Sequence, residues 1–343
     1  MAVLITGGAG YIGSHTVLSF LQRGDEVIVL DNLSNSHIES IHRVEKISGK
    51  QAIFYQGDIL DRKIISNIFS RHKISSVIHF AGLKSVVESI GSPILYYKTN
   101  VSGTLVLLEE MLNFGIKNLV FSSSATVYGE PELIPLNESC RTGGTTNPYG
   151  SSKLMVENIL QDFCTANKNF SLIALRYFNP IGSHHSGMIG EDPDGIPNNL
   201  LPYMLQVAMG KLSTLSIFGN DYPTKDGTGV RDYIHVMDLA NGHLCAVDRL
   251  EDNYGYRVYN LGTGIGYSVL DIIKELEIVS GKKINYNIMP RRKGDIAECW
   301  SNPKLAEKEL GWRAEKNLQC MLTDAWAWQV KNPNGYLSIT PKK

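Results

Sequence analysis

The sequence predicts an α/β fold with a doubly wound parallel sheet, to which a smaller, interleaved α/β lobe is attached. Short apolar runs alternate with amphipathic stretches through the first half of the chain, and a glycine-rich turn follows the first run directly. Parallel strands buried on both faces are continuous apolar runs, and the helices between them cover the two faces of the sheet. The length of 343 residues is sufficient for two lobes, each with its own core.

Six apolar runs define the predicted strands, and four amphipathic stretches define the predicted helices. The strands are at residues 3–6, 26–31, 52–58, 76–82, 118–124 and 171–177, and the helices are at 12–23, 61–73, 94–114 and 149–167. Crossovers that join parallel strands through a helix are right-handed.

After residue 178 the alternation weakens. Residues 179–199 are rich in Gly, Pro, Asn and Asp, which predicts a long loop, and residues 259–264 (YNLGTG) have the pattern of a strand followed by a turn. We therefore expect a first domain at residues 1–178 with a return segment near 233–262, and a second, interleaved lobe at residues 179–343.

The composition excludes several classes of protein. A hydrophobic fraction of 43%, a charged fraction of 20% and a net charge of -1 are typical of a globular protein that binds neither nucleic acid nor membrane. No apolar run is long enough to span a membrane, and no signal peptide precedes the glycine-rich turn, so we expect a cytoplasmic location. The five cysteines are widely spaced and form no CxxC pair, which predicts neither a disulfide framework nor a zinc site.

The segment ITGGAGYIG places Gly7, Gly10 and Gly13 between the first predicted strand and the first predicted helix. Glycines here allow a tight turn and close approach of the backbone to a pyrophosphate at the helix N-terminus. Asp31 ends the second predicted strand, where its carboxylate would accept hydrogen bonds from ribose hydroxyls and repel a 2′-phosphate. The pattern indicates a Rossmann-type NAD site rather than an NADP site. Asp58 could reach the adenine or could cap the following helix.

A second motif, NPYGSSK, places Tyr149 and Lys153 on one face of a predicted helix. We expect the ammonium group to stabilise the phenolate and lower the pKa of Tyr149, so that the phenol can act as a base. Ser124 ends a predicted strand at the sheet edge where α/β proteins bind ligands. It is therefore placed to hydrogen-bond the hydroxyl group that Tyr149 deprotonates.

With these motifs the chain resembles the extended short-chain dehydrogenase/reductases and, within them, the UDP-hexose 4-epimerases. The matching segments run through nearly the whole chain: TGGAGYIGSH (6–15), LDNLSNS (30–36), HFAGLKSV (79–86), SSSATVYG (122–129), YGSSK (149–153), RYFNPIG (176–182), GIPNNLLPY (195–203), FGNDYPTKDGTGVRDYIHVMDLA (218–240) and PRRKGD (290–295). The resemblance implies that Tyr149 removes a proton from the sugar 4-hydroxyl while NAD takes a hydride from C4. The 4-keto sugar then turns over and receives the hydride on its other face.

The resemblance also implies the binding residues. Those expected at NAD are Gly7, Gly10, Tyr11, Ile12, Gly13, Asp31, Asn32, Asn35, Asp58, Ile59, Phe80, Ala81, Gly82, Lys84, Ser122, Tyr149, Lys153 and Phe178. Those expected at the UDP-sugar are Ser124, Asn179, Asn199, Leu200, Phe218, Arg231, Arg292, Asp295 and Cys299. Two arginines suit a diphosphate, because guanidinium groups give directed, charge-assisted hydrogen bonds. The alternative for these basic residues is a solvated loop, which we prefer for Arg291 and Lys293.

Cys299 stands where family members restricted to glucose and galactose carry a tyrosine. A tyrosine ring would fill the volume that a 2-acetamido group needs, and cysteine leaves it open. We therefore expect UDP-GlcNAc and UDP-GalNAc to be substrates beside UDP-Glc and UDP-Gal. The alternative is that Cys299 only fills space.

Three other functions fit the fold less well. A nucleotide-sugar 4,6-dehydratase carries Asp and Glu after the Ser or Thr of this strand, and here Ala125 and Thr126 follow Ser124. A decarboxylase has no clear marker in the sequence. A non-catalytic NAD-sensing protein would typically lack Tyr149 or Lys153.

We also expect no metal, since His184 and His185 lack the spacing of metal ligands and are expected at the surface. A homodimer through the helices at 94–114 and 149–167 is expected from the resemblance.

Overall fold

The structure is a computed structural model that describes residues 2–193, 195–250, 254–292 and 294–339. The first half of the chain alternates strands and helices. These are β1 (Ala2–Thr6), α1 (Tyr11–Arg23), β2 (Glu26–Asp31), α2 (Ile38–Ser48), β3 (Ile53–Gln56), α3 (Arg62–Arg71), β4 (Ile74–His79), α4 (Val86–Gly91), α5 (Pro93–Tyr96), α6 (Gly103–Asn113), β5 (Asn118–Ser124), α7 (Pro148–Ala166) and β6 (Ser171–Tyr177).

The second half has shorter strands and a less regular order. Its elements are β7 (Asn179–Ile181), α8 (Leu200–Ala208), β8 (Leu215–Phe218), β9 (Val230–His235), α9 (Val236–Leu250), β10 (Gly255–Leu261), β11 (Gly266–Ser268), α10 (Val269–Ser280), β12 (Tyr286–Met289), β13 (Glu298–Cys299), α11 (Lys304–Leu310) and α12 (Leu318–Lys331). Within the described ranges, every helix is too short or too polar to cross a bilayer.

Seven of these strands form one parallel sheet in the order β10-β6-β5-β4-β1-β2-β3. One apolar core joins α1, α2 and α9 to one face of the sheet, and a second joins α3, α6 and α7 to the other face. The predicted doubly wound α/β fold is confirmed. The strand order reverses between β1 and β4, which is where such sheets open a crevice for a ligand.

Two smaller sheets lie beyond the large one. Strand β9 pairs with β7, β11 and β13, and β8 pairs with β12. A third core packs α8, α10 and α12 around these strands. The segment 233–262 therefore contains the end of β9 in a small sheet, α9 against α1, and β10 in the large sheet beside β6.

Several helix bounds follow from local capping. Helix α7 begins after Asn147, whose side chain accepts a hydrogen bond from the Gly150 N–H at 2.9 Å, and Pro148 occupies its first turn. Helix α1 ends at Arg23, and the following Gly24 adopts a φ of 105° that other residues avoid. Because such signals are local, the predicted bounds of these two helices differ from the observed ones by one residue.

Three features differ from the predicted elements. The predicted helix at 94–114 contains a π-helical turn, Tyr97–Ser102, between α5 and α6. Helix α2 was not predicted, because its N-cap His37 makes no side-chain capping bond and its sequence carries few start signals. Strand β3 stops at Gln56, short of the predicted residue 58, because the chain turns there toward α3, which Asp61 caps.

Candidate functional site

The glycine turn after β1 packs directly against the loop after β4. A Cβ on Gly7, which has a φ of 71°, would lie 2.6 Å from the Ala81 nitrogen, and a Cβ on Gly13 would lie 2.2 Å from the Gly7 carbonyl oxygen. Side chains are therefore excluded at both positions. Helix α1 begins here behind Gly10 and no side chain caps it, so its N-terminal N–H groups are suited to bind a pyrophosphate.

Asp31 lies at the end of β2, beside this turn. Its carboxylate accepts hydrogen bonds from the Ala9 N–H at 3.0 Å, the Leu33 N–H at 2.9 Å and the Ser36 hydroxyl at 2.9 Å. A carboxylate has about four lone-pair positions, so capacity remains for a ribose hydroxyl. Leu33 adopts a φ of 59°, and such strained residues occur most often where a ligand is bound.

Asn32 and Asp58 follow β2 and β3 at the same edge of the large sheet. The Asn32 amide donates to the Asp58 carboxylate at 2.8 Å, and the Leu60 N–H donates to the other oxygen of Asp58 at 2.8 Å. The contact with Leu60 is a local turn bond, so Asp58 shapes the start of α3 and also lies at the sheet edge. Ile59 is buried beside it, and Asn35 is exposed.

The loop after β4 holds Phe80, Ala81, Gly82 and Lys84. Its backbone is fixed by Asn100, a buried residue of the π-helical turn, which accepts from the Leu83 N–H at 2.8 Å and donates to the Leu83 carbonyl at 3.0 Å. The Lys84 ammonium lies 5.9 Å from the centre of the Tyr11 ring. Asn100 was not predicted, because nothing in the sequence marks a π-helical turn.

Ser124, Tyr149 and Lys153 meet at the end of β5 and the start of α7. The Lys153 ammonium donates to the Ser122 carbonyl at 2.7 Å, and the Ser124 hydroxyl is close enough to the Tyr149 phenol to lower its pKa. Thr126 donates to the Ser124 Oγ from its N–H at 3.2 Å and from its hydroxyl at 3.0 Å. Because both lone pairs of Ser124 are thus engaged, its own proton is available to the Tyr149 oxygen or to a hydroxyl of a bound molecule.

Burial dominates the acidity of these groups. It raises the pKa of Tyr149, and the hydrogen bond from Ser124 opposes that rise. Burial also lowers the pKa of Lys153 to about 8, against the attraction of Glu157. The expected lowering of the Tyr149 pKa by Lys153 is therefore not found in the chain alone. The Lys153 ammonium faces the Ser122 carbonyl and lies 6.0 Å from the centre of the Tyr149 ring.

Three predicted substrate residues form one cluster in the second lobe. The Arg292 guanidinium lies 4.5 Å from the centre of the Phe218 ring and donates to the Asp295 carboxylate at 2.9 Å. Arg231, on β9, donates to the Val230 carbonyl at 2.8 Å. For Arg291 we expected a solvated side chain. The side chain is exposed, but it also pairs with the Asp221 carboxylate at 2.7 Å. Lys293 lies outside the described residues.

Glu191 connects a predicted cofactor residue to a predicted substrate residue. Its carboxylate accepts from the Lys84 ammonium at 3.0 Å and from the Asn199 amide at 3.2 Å. Leu200 follows as the first residue of α8, and Asn179 begins β7 with an exposed side chain. Glu191 was not predicted, since a single acidic residue in a long loop has no distinguishing pattern.

Cys299 is buried at the end of the last small strand, β13. In the register of β13 with β9 it is opposite Arg231, and its side chain packs in a cluster that includes Phe178 and Tyr128, with Ala125 at its edge. Burial raises the pKa of its thiol to about 11. This places the small side chain close to the residue that follows Ser124.

The surface prediction for His184 is wrong. His184 is 4% exposed, because its loop folds against α1, where its N–H donates to His15 Nε2 at 3.1 Å, while His185 is exposed. Among the described residues, His235, Cys320 and Asp324 have possible ligand atoms within 4.8 Å of one another. The Met237 N–H donates to His235 Nδ1 at 3.0 Å, so Nε2 carries the ring proton and points to Asp324 at 3.1 Å. This tautomer offers no lone pair to a metal.

Comparison with known proteins identifies one family. Residues 3–262 match the NAD dependent epimerase/dehydratase family. The chain is 63% identical to the UDP-glucose 4-epimerase of Yersinia enterocolitica over 336 residues, which cover 98% of this chain and 99% of that protein.

Solved structures agree with this family. A UDP-glucose 4-epimerase from Bifidobacterium longum in complex with NAD+ and UDP has a TM-score of 0.95 at 52% identity, covering 98% of this chain and 100% of the other. The UDP-Glc/GlcNAc 4-epimerase of Campylobacter jejuni has a TM-score of 0.85 at 36% identity, covering 96% and 99%.

Replacement of Gly13 by Ala is expected to abolish tight binding of NAD. The new methyl group would meet the Gly7 carbonyl oxygen and force the glycine turn away from α1. The measurement is the amount of NAD that stays with the purified protein, read by absorbance after denaturation. Gly91→Ala is the matched control, because no atom lies within 4 Å of its added Cβ. Equal NAD in wild type and Gly13→Ala would contradict the prediction.

Proposed function

The chain belongs to the NAD dependent epimerase/dehydratase family and is an NAD-dependent UDP-hexose 4-epimerase, and we propose that Tyr149, Ser124 and Lys153 carry out its proton transfers. The observation that supports this assignment most strongly is that the three residues meet at the end of β5, where Ser122 holds the Lys153 ammonium and the Ser124 hydroxyl lowers the pKa of Tyr149. A lowered pKa favours the phenolate, which is the form that can accept a proton.

The reaction moves one proton and one hydride away from the sugar and back again. When bound at the glycine turn, NAD would supply a positively charged nicotinamide ring that can accept a hydride from the sugar C4 and return it to the opposite face. Tyr149 accepts the proton of the 4-hydroxyl as the 4-keto sugar forms, and it returns that proton when the epimer is completed. Because burial keeps Tyr149 protonated in the chain alone, its ionisation depends on positive charge brought beside it.

Lys153 contributes a cation that is fixed in position. Its ammonium is held by the Ser122 carbonyl at the end of β5, one helical turn after Tyr149. In this position it is also suited to hydrogen-bond the hydroxyls of the nicotinamide ribose. The lysine therefore orients the cofactor and adds to the positive charge near the phenol.

The second lobe anchors the UDP part of the substrate. Arg231 and Arg292 would hold the diphosphate, and Asp295 would accept from a hydroxyl of the uridine ribose. Support comes from the cluster of Phe218, Arg292 and Asp295, which brings an aromatic ring, a guanidinium group and a carboxylate together in the second lobe. An anchor of this kind lets the 4-keto sugar turn over while the nucleotide stays bound.

On this basis we assign NAD binding to residues 1–178 with the return segment near 233–262, and UDP-sugar binding to residues 179–343.

The enzyme would accept N-acetylated sugars in addition to UDP-Glc and UDP-Gal. Cys299 has a small side chain and packs with Phe178 and Ala125 next to Ser124. A 2-acetamido group needs volume beside the sugar C2, and a cysteine leaves more of it than a tyrosine would. The structural neighbour from Campylobacter jejuni is named for both kinds of substrate.

The helices at 94–114 and 149–167, which are α5, α6 and α7, would form a homodimer interface, and the neighbouring α4 would extend it. They carry exposed apolar side chains, among them Ile94, which is 81% exposed, Ile90 at 61% and Val87 at 55%. Helices α4 and α5 both pack against α7, so these side chains lie on neighbouring elements. An apolar surface of this kind is typical of an interface between protein chains.

The proposed cytoplasmic location is supported by the five cysteines, all of which are free thiols.

Replacement of Tyr149 by Phe is expected to lower kcat for conversion of UDP-Gal to UDP-Glc by about 100-fold or more, because the proton acceptor is removed. UDP binding should stay within about 3-fold, since the nucleotide contacts lie in the other lobe. Initial rates and calorimetric titration with UDP give the two values. Tyr254→Phe, which changes a tyrosine 68% exposed, is the control and should match wild type. A Tyr149→Phe variant with wild-type kcat would refute the assignment.

Replacement of Cys299 by Tyr is expected to lower the rate of UDP-GlcNAc conversion by about 100-fold or more. The rate of UDP-Glc conversion should change by less than about 5-fold. The products are followed by chromatography with each sugar supplied separately. Cys299→Ala is the control, since alanine also leaves the volume open and should keep both activities. If wild type converts UDP-Glc alone, Cys299 does not determine the substrate range.

Replacement of Ile94 by Glu is expected to separate the dimer. Sedimentation velocity should give twice the mass of one chain for wild type and the mass of one chain for the variant, because a charge in an apolar interface loses its hydration. Ile278→Glu, at a position 62% exposed on α10, is the control and should remain dimeric. A monomeric wild type would overturn the dimer.

A further inference from the structure

A buried ion pair lies directly behind the proposed catalytic residues. Glu157 on α7 and Arg176 on β6 are joined by two hydrogen bonds, from Nη2 to Oε2 at 2.6 Å and from Nε to Oε1 at 3.0 Å. Their side chains are 4% and 6% exposed. A bidentate pair of this kind fixes both side chains in direction as well as in distance.

Glu157 also contacts the strand that carries the catalytic serine. The Ser123 hydroxyl donates to Oε1 of Glu157 at 2.5 Å. On one side of Ser123, the Ser122 carbonyl accepts from Lys153. On the other side, the Ser124 hydroxyl lies beside Tyr149 and lowers the pKa of its phenol. The carboxylate therefore holds the residue between the two contacts that define the catalytic group.

Arg176 extends the same network to the far side of Ser124. Its Nη1 donates to the Tyr128 hydroxyl at 2.9 Å, and Tyr128 donates to the Asn260 side chain at 2.7 Å. Tyr128 ends the 3-10 turn Ala125–Tyr128 that begins directly after Ser124. The network thus fixes β5 at Ser123 and fixes the turn that follows β5 at Tyr128.

Packing alone does not require charges at this point. Two apolar residues of similar volume would join α7 to β6 without the free-energy cost of removing two ions from water. Instead, the pair makes further hydrogen bonds, with Ser123 through Glu157 and with Tyr128 through Arg176. These two residues flank the proposed catalytic serine. This directed contact is what an apolar pair could not supply.

We propose that Glu157 and Arg176 are positioning residues for the epimerisation, because they hold Ser122–Ser124 against α7 and keep Ser124 and Lys153 in place beside Tyr149. This inference rests on the catalytic roles proposed above for Ser124, Tyr149 and Lys153. Neither Glu157 nor Arg176 is assigned a contact with substrate or cofactor.

The pair also acts on Lys153 through charge. Glu157 is one helical turn after Lys153, and its charge raises the pKa of the lysine against the effect of burial. The titratable or charged side chains around Lys153 are Tyr149 and Glu157 on α7, His79 on β4, and Arg176 and Tyr177 on β6. Burial lowers the pKa of His79 to about 3, so this residue is neutral at the pH of the assay. Glu157 is the anion of this group.

The first experiment replaces Glu157 by Gln in the NAD-bound enzyme. The amide group cannot pair with Arg176 through two accepting oxygens, so we expect kcat to fall by about 10- to 100-fold with KM for UDP-Gal within about 3-fold. The loss of the negative charge should lower the pKa of Lys153 further. Because activity needs protonated Lys153, the basic limb of the kcat profile should move to lower pH.

A matched control removes another buried arginine contact. Arg43 is 5% exposed and bonds to Glu39 at 2.9 Å, but it contacts none of the three catalytic residues. Arg43→Gln is expected to lower the melting temperature and leave the kcat profile unchanged. If Glu157→Gln behaves in the same way, the pair is merely structural and the proposal is overturned.

Ser123→Ala tests the same contact without removing a charge, and it decides the question if Glu157→Gln does not fold. It should lower kcat by about 3- to 10-fold and leave the basic limb where it is in wild type. Wild-type kcat in folded Ser123→Ala overturns the proposal. Tyr149→Phe is assayed beside it: an active Tyr149→Phe shows that the catalytic assignment has failed, whereas an inactive one leaves the positioning role as the idea under test.

Discussion

The parallel register of the large sheet is the constraint on which the site depends. Because β1, β2, β4, β5 and β6 run in the same direction, their carboxyl ends meet at one edge, and each strand there is followed by a residue or loop of the proposed site. Asp31 ends β2, Ser124 ends β5, and the Phe80 loop follows β4. The glycine turn then allows α1 to approach this edge closely enough to present its N-terminus.

At that edge the chain balances burial against charge. Lys153 is buried with its ammonium on a backbone carbonyl, and Tyr149 is held in its protonated form by the same low-polarity surroundings. Tyr149 therefore does not have the acidity that the proposed reaction needs while the chain is alone. The chemistry therefore depends on charges that arrive with bound molecules, as well as on the hydrogen bonds that keep both side chains in position.

The sequence was informative where a local pattern determines the structure. The bounds of β2, β5 and β6 match the predicted strands, because an apolar run between turn residues admits few other structures. The three catalytic candidates also meet as expected, since a shared helix face and a strand end determine their positions. Asn100, Glu191 and Arg176 were not predicted, because each acts through a partner far away in sequence. His184 was placed at the surface for the same reason, since its neighbour His15 lies on α1.

The contact of Arg292 with Asp295 and Phe218 makes nucleotide binding an exchange rather than a simple addition. A guanidinium that already has a carboxylate partner must give up that ion pair before it can serve a phosphate, so the net gain is the difference between the two interactions. Added salt weakens the ion pair with Asp295 and also the contact with the phosphate. The two effects therefore partly cancel in the free energy of nucleotide binding. The affinity for the nucleotide should therefore respond less to ionic strength than that of a site whose arginines stand free.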